Sequence, residues 1–505
     1  MGVIGAAEGF AGIAVADEPS AVLAARDVLA AGGSAADAAV ALYFGLAVAM
    51  PSTAALGGGG VCIVHDQESK TTEVLDFLPR AAPEGRVALP AAVRGMAALH
   101  ARFGKLRWEQ DLAGAENMAR FGVPTSRALA QELETARDQI SGDPEMMRIF
   151  FRPDGTTLRE GDPLRQDLLA SSLTQLRIRG AGEFYNGPLG RTLTDGAQAL
   201  GAPLTMEALR AVKPQFLPAI TVPFDGHDIY LAPPPAAGGI LFGEIVAMLT
   251  EARDFDGADP GERPHLIVEA SKRAFIDRAR WMQPAGDSTE DAQMLVGEDH
   301  ARSLMQSYDP NRATPAASIG AMQRSPENPW ATGFVTADGD GNAVACAVTM
   351  NNLFGAGRMA QGTGILLAPA PNDRGAGYRA LGPMIVADDY NGAVYFAGAA
   401  SGGETAPTAL AQVLLHTYYG GQTLIQSEAV PRYHHNGDPD VVFYETDAAP
   451  AALQSLAQRG HQLEPIDIIG RVSAFWCPKS LRTDGNACQA SADPRGFGMA
   501  VVQTD

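Results

Sequence analysis

Several small groupings of residues in this chain have types and spacings that could do chemistry. Thr349 and Asn351 stand two apart, so on a strand both side chains face the same side, as a site requires. Taken alone, they read as polar residues at a strand end. His434 and His435 are adjacent. On an extended segment they point to opposite faces and do not share an ion, which makes them a structural or surface pair. Asp338-Gly339-Asp340-Gly341-Asn342 has the spacing of half a calcium loop. The sixth position of such a loop needs Gly and the twelfth needs Glu, and here they are Ala343 and Thr349, so the run predicts a hairpin turn. The run Gly57-Gly58-Gly59-Gly60 serves either turns with φ > 0 or close approach of backbone to something else. It lacks the Lys-Ser/Thr of a phosphate loop, and nothing in it points to nucleotide. There is no Gly-x-Ser-x-Gly elbow and no Gly-x-Gly-x-x-Gly after a strand, so neither a serine hydrolase nor a dinucleotide enzyme is supported. Cys62, Cys346, Cys477 and Cys488 are too few and too scattered for a disulfide framework or a zinc site. Cys477 and Cys488 are near enough to pair, but the preferred reading is free, buried thiols.

The chain around these groups has 505 residues, 46% of them hydrophobic and 19% charged. That is a globular balance, with enough apolar surface for a large core. The length suits about three domains of roughly 150 residues each, or one large α/β unit. Lys plus Arg is 38 and Asp plus Glu is 58, a net charge of 38 − 58 = −20. So acidic a chain repels phosphate backbones and anionic membrane surfaces, which excludes nucleic acid and membrane as expected partners. The longest apolar stretch, Ala38 to Met50, is too short to span a bilayer and reads as a buried helix. Met1 to Ala16 has neither a basic n-region nor a continuous apolar h-region. The expectation is a soluble, cytoplasmic protein, or a periplasmic or secreted one if a leader has been removed.

The elements that must hold the candidate groups can be placed from local signals. Ser20, after Pro19, reads as the cap of a helix with the stripe Val22, Ala25, Val28 and Leu29, ended by Gly32-Gly33. Ser34 opens a second helix through Met50, and a strand follows over Val61–His65. Residues 90–220 read mostly as helices. A strand at Asp228–Leu231 leads through Pro233–Gly239 into a long helix and then another at His265–Arg280. Pro310–Pro329 is polar and aperiodic, the pattern of an exposed linker. Beyond it strands dominate, at Phe334–Ala337, Ala343–Asn351, Met384–Ala387, Ala393–Gly398 and Val441–Tyr444, with a helix at Pro407–Tyr419. Helices flanking strands in both halves predict a layered α/β sandwich.

Longer signatures then combine. Ala31-Gly32-Gly33-Ser34-Ala35-Ala36-Asp37-Ala38-Ala39-Val40, the run Pro51 to Gly60, Phe184-Tyr185-Asn186-Gly187-Pro188 and Pro234 to Gly239 occur in that order. They are followed by His265-Leu266-Ile267-Val268-Glu269-Ala270-Ser271-Lys272-Arg273-Ala274-Phe275-Ile276-Asp277-Arg278, by Pro431-Arg432-Tyr433-His434-His435 and by Asp493-Pro494-Arg495. Over nearly its whole length the chain resembles the γ-glutamyltranspeptidases. The resemblance implies an α/β fold, a four-layer αββα sandwich of the N-terminal nucleophile hydrolase type. It implies a helix-rich part over 1–330 and a strand-rich part over 331–505 in one integrated unit. Such chains cut themselves before a Thr. The freed N-terminal Thr attacks a γ-glutamyl amide with its own α-amino group as base, and a Gly-Gly pair stabilises the oxyanion. No cofactor and no metal are implied. The expected partner is a small γ-glutamyl-like molecule or a less polar relative, with a homo-oligomer as a further option.

Counting back from Asp338, the family's nucleophile position falls on Ala331, which has no hydroxyl. Thr332 is the candidate substitute. Alternation points it away from whatever residue 331 faces, so it serves only after a one-residue slip or a local bulge, with cleavage after Ala331. Thr349 and Asn351 match the family's Thr-x-Asn. Gly402-Gly403 matches the oxyanion pair, with one residue inserted after Gly398. Asp373 falls where an acidic residue holds the substrate α-amino group. Arg80 is the candidate carboxylate clamp, one or two residues too far from Asp76-Phe77; otherwise an Arg beside Pro is most often a solvated surface residue. Ala368-Pro369-Ala370-Pro371 replaces polar amide residues, and Ala380-Leu381-Gly382-Pro383-Met384 stands where paired serines hold the substrate carboxylate. Recognition groups are lost along with the hydroxyl, a pattern of divergence rather than of a single substitution made to trap a precursor. The resulting expectation is an uncleaved chain with impaired or absent activity. The alternatives are an active γ-glutamyl hydrolase or transferase using Thr332, and a non-catalytic small-ligand-binding or assembly protein.

Overall fold

Side chains of successive strand residues point to opposite faces, and along Ala343–Thr349 this rule sets the layers. Ala343, Ala345 and Ala347 enter one apolar cluster, while Val344, Cys346 and Val348 enter another. The computed structural model describes residues 9–83, 85–253, 255–284, 286–321, 326–372 and 375–504. Within them the first cluster lies between two sheets, and the second lies between one sheet and helices.

The first sheet has seven strands in the spatial order Met499–Thr504, Phe10–Ala16, Thr332–Asp338, Ala343–Thr349, Gly59–Asp66, Thr71–Phe77 and Gln215–Pro218, all antiparallel. The second has six, in the order Gln489–Ala492, Arg471–Trp476, Val394–Ser401, Met384–Ala387, His227–Leu231 and Ile220–Phe224, again antiparallel. Helices Pro19–Ala30, Ala35–Ala49 and Trp108–Phe121 cover the outer face of the first sheet. Helices Gly238–Thr250, Arg263–Trp281 and Thr405–Tyr419 cover that of the second. The result is the αββα sandwich. Residues on both sides of 331 supply strands to each sheet.

Small residues let the two sheets approach. A Cβ placed on Gly333 would meet Ala399 Cβ of the facing sheet at 2.8 Å. The glycine run 57–60 serves close approach rather than turning, since none of the four has positive φ. A Cβ at Gly57 would run into the Leu366 carbonyl, and one at Gly60 into the Ala347 carbonyl.

Local signals placed most elements well. Ser34 caps the second helix through a reciprocal box with Asp37, and all of Ala35–Ala49 is buried. The first helix starts two residues earlier than read. Pro19 occupies its first turn, and the cap is Glu18, whose carboxylate accepts Ser20 N at 3.1 Å, so Ser20 is not the cap. The segment 310–329 is not wholly an exposed linker: Ala316–Ile319 is helical and Asn328 is only 6% exposed. Among the described residues no helix is long and apolar enough to cross a membrane.

The reading of the cysteines as free thiols is overturned. Cys62 and Cys346 lie directly opposite on neighbouring strands and form a disulfide, with their Cα atoms 4.0 Å apart across 284 residues of sequence. Cys477 and Cys488 form the second. Sheet register made the first pair adjacent, and nothing local announces register. Titration of the denatured, unreduced chain with a thiol reagent is expected to find no free thiol, and four after reduction. The double variant Cys62→Ala/Cys346→Ala is expected to lose about 2–5 kcal/mol of stability in denaturant melts. Thiols reactive before reduction would contradict both pairings.

Candidate functional site

The strand Thr332–Asp338 pairs with Ala343–Thr349 and with Phe10–Ala16 in unbroken register, with no bulge. Ala331 immediately precedes it. Its methyl faces the layer between the sheets, the apolar cluster to which Val335, Ala337 and Tyr378 also belong. Thr332 takes the opposite face, where it is fully buried and donates its hydroxyl to Asp17 Oδ2 at 2.9 Å. The slip or bulge needed to exchange the two residues is therefore absent.

A tight polar clasp holds the chain just before Ala331. Asn328 Nδ2 donates to Trp330 O at 2.7 Å and to Thr349 Oγ1 at 3.0 Å, while Asn328 Oδ1 accepts Trp330 N at 3.0 Å. Thr349 Oγ1 donates to Trp330 O at 3.0 Å and accepts Asn351 N at 3.0 Å. The glycine pair closes the other side. Gly402 and Gly403 have φ of 126° and 63°, and a Cβ on Gly403 would lie 3.1 Å from Pro329 Cα and 3.2 Å from Asn328 O. Thr349, Gly402 and Gly403 are thus gathered around residues 328–331.

Asn351 belongs to the group for a different reason from the one expected. The strand ends at Thr349, and Asn351 has a left-handed backbone, φ 61°. Its Nδ2 donates to Pro79 O at 2.9 Å and Pro369 O at 3.0 Å. Its buried Oδ1 finds no hydrogen-bond partner among the described residues.

A cavity of about 410 Å³ adjoins this cluster, reached through Gly377, whose N–H donates to Asn351 O at 2.9 Å. Arg80, Asp287, Pro371, Tyr378 and Arg379 line it. Arg80 is exposed, with 46% of its side chain in solvent, but it is tethered: Nη1 and Nη2 bind Asp76 Oδ1 and Oδ2 at 2.9 and 2.6 Å. Burial alone would lower the guanidinium pKa, but the Asp76 carboxylate reverses this and holds it above its ordinary value. Arg379 donates to Pro284 O and Pro326 O, each at 3.2 Å. Burial pushes the Tyr378 phenol upward. Asp373 lies outside the described residues.

The other face of the strand carries an acidic pocket that the sequence did not announce. Asp17, Glu132, Trp330 and Arg471 border a cavity of about 90 Å³. Burial raises the Asp17 carboxyl, opposed by Arg471 and by the Thr332 hydroxyl. Burial also lifts Glu132, on the helix Arg127–Thr135, to about 7, although Ser52 Oγ donates to it.

Asn328 was missed as well, because it lies in an aperiodic stretch without a periodic signal. His434 and His435 are both buried, so the pair is structural and not on the surface. His434 Nδ1 meets Thr408 Oγ1 at 3.0 Å, and His435 Nε2 meets Asp440 Oδ1 at 3.0 Å. The imidazole–carboxylate clusters close enough to share an ion, among the described residues, use other side chains than these.

Comparison with known proteins bears on this arrangement. A family model described as Gamma-glutamyltranspeptidase matches residues 21–502. The glutathione hydrolase proenzyme of Escherichia coli (strain K12) is 28% identical, over 93% of this chain and 88% of that protein. The glutathione hydrolase proenzyme of Pseudomonas aeruginosa is also 28% identical, over 97% of this chain and 94% of that one. Among solved structures, a cephalosporin acylase from Bacillus halodurans superposes with a TM-score of 0.84 at 22% identity, covering 99% of this chain and 97% of that one. This likeness concerns the fold.

The acidic pocket has a consequence for stability. Below the ordinary Glu value of 4.5, both folded and unfolded chains keep the Glu132 proton. As pH rises toward about 7 the unfolded chain releases it while the folded one retains it, so stability falls through that window and stays reduced above it. Glu132→Gln is expected to be more stable than the parent by about 2–3 kcal/mol at pH 8, and equal to it near pH 4. Chemical denaturation across pH measures this. Parallel profiles for the two proteins would refute the assignment.

Proposed function

Since the chain belongs to the gamma-glutamyltranspeptidase family by its match over residues 21–502, we propose that it keeps the family's site architecture without the family's nucleophile. It remains a single polypeptide that binds a small γ-glutamyl-like molecule, or a less polar one, and does not turn it over. The observation that carries this reading is the methyl group of Ala331, at the start of the central strand and facing the layer between the sheets.

The family's reaction needs an oxygen there. A threonine hydroxyl would attack the γ-carbonyl, the amine would leave with the proton relayed by the freed α-amino group, and an acyl ester would remain for water or a second amine. Alanine can neither form that ester nor perform the acyl shift that cuts the chain. Gly402 and Gly403, which the resemblance assigns to the oxyanion, still flank residues 328–331. Thr349 Oγ1 is occupied by Asn328, Trp330 and Asn351, so it orders the backbone rather than reaching for substrate.

The adjoining cavity supports the choice of ligand. Arg80 can meet a carboxylate, but only in competition with Asp76. Ala81, Pro235, Pro284 and Pro371 make much of the remaining wall apolar. A purely carboxylate-rich ligand would bury charge without enough partners, which favours a less polar one.

One observation favours the alternative nucleophile, the 2.9 Å hydrogen bond from Thr332 to Asp17, a hydroxyl–acceptor pair of the kind used in general base catalysis. The unbroken register and the small cavity of about 90 Å³ on that face weigh against it. The two disulfides support a periplasmic or secreted location over the cytoplasm, where thiols are kept reduced.

Intact-mass analysis and a denaturing gel test the reading. Cys62 and Cys346 lie on opposite sides of residue 331, so their disulfide would hold a cut chain together, and the gel must be run reduced. The expected result is one uncut species and no turnover of a chromogenic γ-glutamyl anilide. Two reduced fragments of about 330 and 505 − 330 = 175 residues would overturn it. Turnover abolished by Thr332→Ala would establish the alternative instead. Ala331→Thr is expected to restore self-cleavage at most in part, because the binding wall has changed as well.

A further inference from the structure

Away from Ala331, three helices of the outer layer converge on a buried group of two carboxylates and an imidazole. We propose that Asp37, His100 and Asp111, with the carbonyl of Leu106, form a binding site for a divalent transition-metal ion of the zinc class, which ties the helices Ala35–Ala49, Ala92–Phe103 and Trp108–Phe121 together.

The carboxylate of Asp37 is used on one side only. Its Oδ2 accepts Ser34 N at 2.8 Å, Ser34 Oγ at 3.0 Å, Lys105 N at 2.8 Å and Leu106 N at 3.1 Å. Four donors fix its position, while the buried Oδ1 finds no partner among the described residues. Asp111, in the first turn of its helix, is 1% exposed, and neither of its oxygens has a partner there either. Three carboxylate oxygens thus converge without donors, an arrangement that is costly unless something positive completes it.

His100 supplies the third side. Its Nε2 lies 3.8 Å from Asp37 Oδ1, 3.6 Å from Asp111 Oδ2 and 3.0 Å from Leu106 O. Around a tetrahedral zinc with bonds near 2.1 Å, ligand atoms sit about 3.4 Å apart. Two of the spacings, 3.8 and 3.6 Å, need a few tenths of an ångström of closure and the third, 3.0 Å, about as much opening, with the imidazole proton moved to Nδ1. The neighbouring backbone is shaped to this group, since a Cβ on Gly104 would lie 2.7 Å from Asp37 Oδ1. His100 is partly exposed, at 18% of its side chain, which leaves a way in.

Among the described residues no ammonium or guanidinium pairs with these oxygens. Lys105 turns its Nζ to Asp340 instead. This separates the group from two others of similar composition. In His265–Glu269–His461, Glu269 is ion-paired with Lys272 and Arg273, and in Glu244–Asp277–His300, Asp277 is held by Arg280. Imidazole with two carboxylates suits Zn²⁺ or its neighbours better than Ca²⁺ or Mg²⁺.

The test uses the full chain, dialysed against chelator and then separately against Zn²⁺, Co²⁺, Mn²⁺, Ca²⁺ and Mg²⁺. The expected result is one tightly retained Zn²⁺ per chain by elemental analysis and a rise in Tm of several degrees. Co²⁺ should give visible d–d bands and quench Trp108, whose ring lies 5.4 Å from that of His100. Asp111→Asn, which keeps size and fold, should lose retention and the Tm rise together, and His100→Gln should do the same. Circular dichroism serves to check that both variants are folded. No retention of any of the five ions would overturn the proposal, as would preference for Ca²⁺ or Mg²⁺, or Zn²⁺ retention unchanged in Asp111→Asn. So would an Asp111→Asn protein that is merely more stable with no metal effect in the parent, which would leave a shared proton as the whole content of the site.

Discussion

The constraint on which the rest depends is the unbroken antiparallel register of Thr332–Asp338 between Phe10–Ala16 and Ala343–Thr349. A strand paired on both edges cannot rotate one side chain without rotating all of them. Phe334 and Thr336 are committed to the helical layer, the latter through a hydrogen bond from its hydroxyl to Ala35 O at 2.7 Å. Val335 and Ala337 are committed to the layer between the sheets. Thr332 and Ala331 must follow, and a hydroxyl one residue along the chain is on the wrong side of the sheet from Gly402 and Gly403. Distance along the sequence is a poor measure of chemical replaceability on a strand.

The same register explains why a methyl at 331 is easily accommodated. It faces the apolar layer between the sheets, where a hydroxyl would need a partner of its own. The nearest polar side chains have already satisfied one another: Asn328 spans Trp330 and Thr349, and Thr349 spans Asn328, Trp330 and Asn351. A site whose polar groups pair internally is stable in the absence of ligand. It also has fewer groups to offer one, and Asn351 Oδ1 is the exception.

Much of the architecture was legible because its signals are local. The helix start at Ser34 and the hairpin at Asp338–Asn342 each show in a handful of consecutive residues. The family resemblance then supplied the layer order, which no local signal contains. What remained hidden is what the fold brings together from afar. Cys62 meets Cys346 only because two strands pair in one register, and Asp17 meets Thr332 across 315 positions. Asn328 sits in a stretch without period, so its burial depends on Thr349 and Gly377, which arrive from another part of the chain. Even the match of Thr349 and Asn351 had the wrong reason behind it. Their nearness comes from a left-handed turn after the strand, not from its two-residue repeat.

Covalent and non-covalent links bear unequally on this design. Ala331 lies at the end of a stretch, 310–330, whose last residues are held by side-chain hydrogen bonds and by the packing of Pro329 against Gly403. The strand that follows is held by two neighbours, and one of those neighbours is joined through Cys346 to Cys62 on the next strand. Opening the backbone at 330–331 would release no strand from the sheet, because every ladder on either side would persist and the disulfide would still join the two pieces. The fold thus tolerates either a cut or an intact backbone at this point. What decides between them is the chemistry of a single side chain rather than the stability of the sandwich. On the reading proposed above, a methyl at 331 silences the reaction while the sheets, the disulfide and the glycine pair stay in place.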